Sequence, residues 1–189
     1  EMAFGSDISE KENVTVNAAA DNALLVISDD SNSNDIFIIK EDGTSIADGA
    51  LTSTGADLAE YYNSLSGYDY SSGTVVCAAP SKEAIRRCSR EYDANVVGIV
   101  PTAPGLVMGH SQGDVLVALA GRVPTFFDNR NGEVKPGDLL TTAPNGLAMK
   151  QTQAGATIGK ALENSTGKSS IIVFVAAGWD SPNSLTKED

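Results

Sequence analysis

Few side chains in this 189-residue chain can do chemistry, and their spacing narrows the choice further. The one histidine, His110, adjoins Ser111 in the stretch Gly109-His110-Ser111-Gln112-Gly113-Asp114. Neighbours in an extended chain point to opposite sides, so the two do not make a nucleophile–base pair, and His110 reads as an exposed loop residue. One His and two Cys supply no zinc ligand set at recognisable spacing. No Gly-rich phosphate loop opens a helix, and HExxH does not occur. Lys150 and Lys160 sit near many serines and threonines, without any further sign of a Ser–Lys arrangement. The loop at 29–35 holds Asp29, Asp30 and Asp35, hard oxygen ligands suited to Ca²⁺, yet it lacks the Gly and terminal Glu of an EF-hand. It reads as a solvated acidic loop. The expectation is a chain with no catalytic set, no cofactor and no metal.

Cys77 and Cys88 are the informative pair. Cys77 ends the apolar run Thr74-Val75-Val76, Cys88 closes Ile85-Arg86-Arg87, and Ala78-Ala79-Pro80-Ser81 reads as a loop between them. Neighbouring strands would then carry one disulfide, as in proteins of oxidising compartments; two buried free thiols are the alternative. The adjacent basic cluster Lys82, Arg86, Arg87 and Arg90 could pair with the acidic first third of the same or a neighbouring chain.

Charge divides the sequence. Residues 1–60 hold 13 acids and 2 bases, a net of −11, and residues 61–189 hold 12 acids and 11 bases, a net of −1. A total of −12 disfavours nucleic acid and anionic membrane surfaces, which demand a basic face. No apolar run approaches the ~18 residues of a membrane span, and no signal peptide opens the chain at Glu1. The chain therefore reads as cytosolic or as a mature product whose leader has gone.

The elements that must position these residues are strands. In the first third Val14 and Val16 alternate with polar neighbours, Ala23–Ser28 and Ile36–Ile39 are short apolar runs, and Asp42-Gly43 turns the chain before Thr44–Ile46. From Thr74 onward the expected strands are Thr74–Ala78, Ala84–Ser89, Val96–Pro101, Leu106–Met108, Val115–Val123, Leu139–Thr142, Ala148–Gln151, Thr157–Ala161 and Ser170–Ala176. Turns such as Asn131-Gly132, Pro136-Gly137-Asp138 and Pro144-Asn145-Gly146 separate them. After Pro136-Gly137, Asp138 is placed to accept hydrogen bonds from turn amides. Short helical stretches are expected only at Asp57–Tyr62 and Lys82–Arg87. This spacing predicts an all-β fold: short N-terminal, fibre-shaft-like strands, then a Gly/Pro-punctuated sandwich or barrel. The divisions are an acidic β segment at 1–54, a β domain at 55–180 and a polar tail at 181–189.

Six motifs carry a resemblance. They are Gly55-Ala56-Asp57-Leu58-Ala59-Glu60-Tyr61-Tyr62, Tyr92–Val100, Pro104–Gly109, Val117–Pro124, Lys135–Leu140 and Ile158–Glu163. In that order they resemble a C-terminal β module of bacterial surface fibres and phage tail fibres, similar to the peptidase G2 type. The resemblance covers about residues 55–179, and residues 23–51 look like the last repeats of a fibre shaft. It implies an all-β fold and relatives that are self-cleaving intramolecular chaperones of trimeric fibres. No cleavage nucleophile maps onto a position here, and the cysteine pair lies outside the pattern.

The function expected is a structural subunit of an extracellular, cell-surface or virion fibre that self-associates as a trimer or polymer. Three or four strands over some fifty residues bury little by themselves, so Val26, Phe37 and Ile39 require a covering surface. The absence of a closing hairpin signal favours a surface from another chain. One alternative is the self-cleaving chaperone. Another is an adhesin tip on cell-surface glycans, with Tyr61, Tyr62, Tyr68, Tyr70 and Trp179 as stacking anchors.

Overall fold

The computed structural model describes residues 13–15, 23–28, 35–80, 82–109 and 112–180. They are all-β; the single helical element among them is a 3₁₀ turn at Pro144–Gly146. The chain forms two compact units, Glu1–Thr52 and Ser53–Asp189.

The N-terminal unit is a four-stranded antiparallel meander, β1 (Asn13–Thr15), β2 (Ala23–Ser28), β3 (Asp35–Lys40) and β4 (Ser45–Ala47). Val26 is in register with Ile38, Phe37 with Ile27 and Ala47, and Ile39 with Leu25 and Ser45, all within one chain. The turn that closes β3 onto β4 is local chemistry: the Asp42 carboxylate accepts from Thr44 N–H at 2.8 Å, and Gly43 takes φ +85°. Asp and Gly suit such a turn because one caps its own backbone and the other tolerates positive φ.

The C-terminal unit holds β5 (Asp57–Tyr62), β6 (Val75–Ala78), β7 (Ile85–Arg87), β8 (Val96–Ile99), β9 (Leu106–Met108), β10 (Val115–Asp128), β11 (Leu139–Ala143), β12 (Leu147–Lys150), β13 (Gly155–Ala161) and β14 (Ser170–Asp180). Strands β10, β14, β13, β11 and β12 close a five-stranded barrel, sealed by the parallel pairs Phe127↔Ala148 and Asp128↔Met149. Closure leaves these strands without an open edge. Further strands branch from β10: β5 and then β9 on one path, β8, β6 and β7 on another.

The segments Asp57–Tyr62 and Lys82–Arg87, expected as helical, are corrected to strand β5 and to a bend running into strand β7. Six residues make a marginal helix, whereas β5 satisfies its backbone between β10 and β9. Strand β10 also outruns its expected end at Val123. Arg122 N–H donates to Ala56 O and Phe126 N–H to Gly73 O, so nitrogens of this parity face away from β14. Pro124 lies between them, past the end of the β5 pairing at Gly121, and the missing donor breaks no ladder bond.

A bulge sets which side of β10 is buried. The register with β5 shifts between Ala118 and Ala120. Before it, Val117 packs with Val76, Ile85 and Val100, while Ala118 packs in the barrel core. After it, the odd residues Val123 and Phe127 join Ala118 in that core, with Val173, Ile171 and Leu140. An extra residue reverses the parity of a strand, and one long strand thereby serves two cores. Buried hydroxyls are satisfied: Thr141 donates to Ala156 O and Thr157 to Leu140 O.

Candidate functional site

Three separated motifs of the sequence meet around Asp57, the first residue of β5. Its backbone is clamped from both sides, since Gly105 N–H donates to Asp57 O at 2.8 Å and Arg122 N–H donates to Ala56 O at 3.2 Å. The approach is close enough to require glycine. A Cβ on Gly121, at φ +110°, would sit 2.4 Å from Ala56 O, and one on Gly55 would sit 2.3 Å from Gly105 N. Inside this clamp the Asp57 Oδ2 atom is buried and has no hydrogen-bond partner among the described residues. Burial pushes its carboxyl above the ordinary aspartate range. A carboxyl whose pKa burial raises keeps its proton to higher pH than an exposed one, and such perturbed groups concentrate at functional sites. Glu60, three residues along β5, instead accepts from Tyr62 O–H at 3.0 Å. Sequence reasoning placed Asp57 in a motif without giving it a role. Only the recurrence of glycines near three distant strands hinted at the crowding that desolvates it.

A shallow groove of about 570 Å³ lies beyond the end of β5, lined by Asn63, Ser64, Tyr68, Lys82 and Glu83 among others. Tyr68 is exposed there and meets Tyr70 edge-on at 6.4 Å. Tyr70 does not line the groove and donates its hydroxyl to Leu65 O and Ile85 O, which makes it a packing residue. Trp179 is exposed on β14 opposite Ala156, on a different element from the tyrosines.

The disulfide Cys77–Cys88 is present, fully buried between β6 and the segment after β7. Next to it Asp93 is buried and anchors the turn. It accepts from Arg86 at 2.6 Å, from Arg90 at 3.2 Å and from the Asn95 N–H at 3.1 Å, while its own N–H donates to Thr142 Oγ1. Burial would raise this carboxyl, and the Arg86, Asn95 and Arg90 hydrogen bonds outweigh it, lowering the pKa to about 2. Arg86 and Arg90 therefore serve an acid of their own loop. Lys150 is likewise engaged, 2.8 Å from Asp138, whose carboxylate also accepts the Lys135 turn amide as the sequence suggested. His110, Ser111, Asp29 and Asp30 lie outside the described residues.

The class that this geometry defines is an all-β module organised on a closed five-stranded barrel with a clamped, desolvated aspartate at its first strand. No protein-family model and no curated protein matches the sequence. Among solved structures the chain is similar to the pre-mature bacteriophage phi29 gene product 12, with a TM-score of 0.55 and 16% identity over 76% of this chain. The match spans 24% of that protein's length, so the likeness is one of fold.

Proposed function

We propose that this chain is a self-associating structural module of a fibre-type assembly on a virion or outside the cell. One observation carries the reading: no described side chain of the N-terminal unit is fully buried. Ile36 and Ile46 are 44% and 42% exposed, and Val26, Phe37 and Ile39 stay only half-buried despite their strand pairing. A single-layer sheet gains stability when another surface covers its apolar residues. The fold likeness to a phage protein and the buried disulfide support the location. Sedimentation of the full-length protein at micromolar concentration is expected to show a species larger than the monomer. A lone monomer across that range would overturn the proposal.

A second reading, a self-cleaving intramolecular chaperone, is favoured by Asp57. Peptide cleavage needs a proton donor for the departing nitrogen, and a carboxyl pressed against main chain, its pKa raised by burial, is a candidate for that role. Here intact mass decides. Self-cleavage yields two fragments that sum to the chain plus water, and Asp57→Asn leaves one full-length mass. A wild-type protein that keeps a single mass through prolonged incubation eliminates this reading.

A further inference from the structure

The strand order of the C-terminal unit ends on two strands, β7 and β9, and they are protected unequally. The outer side of β7 is capped by the chain before it. Ile85 N–H donates to Asn63 O at 2.8 Å, and Leu65 N–H donates to Ile85 O at 2.9 Å. Arg86 and Arg87 add charge to the strand itself. Strand β9 has no such cover among the described residues. It pairs on one side only, in parallel with β5, through Leu58↔Leu106, Ala59↔Val107 and Glu60↔Met108.

All three residues of β9 are apolar, and Leu106, Val107 and Met108 are 60%, 41% and 39% exposed. Successive strand residues face opposite sides, so apolar surface is open on both faces of this edge. Edges that must stay unpaired carry Lys, Pro, a bulge or an inward charge. The run from Gly105 to Gly109 contains none of the three residue-borne devices.

The run is also complementary to itself. Laid antiparallel on a two-fold copy, it sets Val107 opposite Val107 and Leu106 opposite Met108, with no charge opposed at any position. Residues 61–189 carry a net charge of only −1, so two copies of this region are not held apart as residues 1–60, at −11, would be.

We propose that the open edge of β9 is taken by β9 of a second copy of this chain, in antiparallel strand addition. Three residues cover far less than the roughly 800 Å² per partner of a standard interface. The pair therefore sets register and direction within the self-association proposed above, and it rests on that reading.

Full-length Val107→Cys tests it, because the two native cysteines are already bridged and position 107 becomes the one free thiol. Directly opposed Cβ atoms across a strand pair lie about 4.5–5.5 Å apart, near enough to be joined by a disulfide after a small shift. Mild oxidation is expected to give a reducible covalent dimer, well above that from Asn129→Cys on an exposed turn. The double variant Leu106→Lys/Met108→Lys places lysine opposite lysine and is expected to weaken association about tenfold or more. An unchanged melting curve for each variant keeps the comparison one of assembly. If Val107→Cys links no more than the control and the lysine pair sediments as wild type, the β9 contact is wrong while self-association stands. If wild type is monomeric, both fall.

Discussion

Replacing Asp93 by alanine is expected to destabilise the C-terminal unit by about 3–5 kcal/mol, the usual consequence of stranding one partner of a buried ion pair. The Arg86 guanidinium, with a side chain only 11% exposed, would lose its carboxylate and could not regain water without opening the turn. The same variant removes the acceptor of the Asn95 backbone N–H and side chain. Arg90 is largely exposed and contributes less, since solvent screens it. Chemical denaturation at neutral pH measures the loss. A change below about 1 kcal/mol would show that the cluster is not the anchor described.

The pH dependence follows from the same geometry. The folded-state carboxyl titrates at about 2, below its ordinary value of 3.8. Its contribution is therefore complete above pH 4 and is lost as pH falls through that window toward 2. Wild type should lose stability steeply there, and Asp93→Ala should be flatter over the same range. Equal slopes for the two proteins would refute the assignment.

The second large effect concerns the bridge. Cys77 and Cys88 are 11 residues apart, and closing a loop of that size is worth roughly 3 kcal/mol in the chain-entropy model. Cys77→Ala/Cys88→Ala is expected to lose about that much in equilibrium unfolding. Thiol labelling of the denatured, unreduced protein should find no free thiol, and two labels per chain would sink the bridge. The loop is held in other ways too, as Cys88 N–H donates to Val75 O and Gly146 N–H donates to Cys88 O. Because Cys88 and Asp93 secure one connection, combining the two changes should cost less than their sum.

Much of this molecule was legible from residue order. Alternation and turn residues predicted the strands from Val75 to Ser170 and beyond, because a half-buried strand flanked by Gly, Asn and Pro writes its period locally. The Asn145-Gly146 turn is an example, with both residues at positive φ. The Cys77–Cys88 bridge was legible too, from an apolar run, a loop and a second run.

What stayed hidden depends on neighbours far along the chain. Asp57–Tyr62 has no decisive period of its own, and only the flanking strands β9 and β10 make it a strand. Pro124 argues for a strand end, and the strand continues because the β5 pairing stops at Gly121 while Pro124 still pairs with Ile172 of β14. That Arg86 and Arg90 share Asp93 is set by the turn that brings this acid back beside them. Above all, the character of Asp57 is a property of Gly55, Gly105 and Gly121, which are separated by up to 66 residues and converge only when the sheet forms. Propensity acts between near neighbours, whereas desolvation acts on whatever chain the fold brings within a few ångströms.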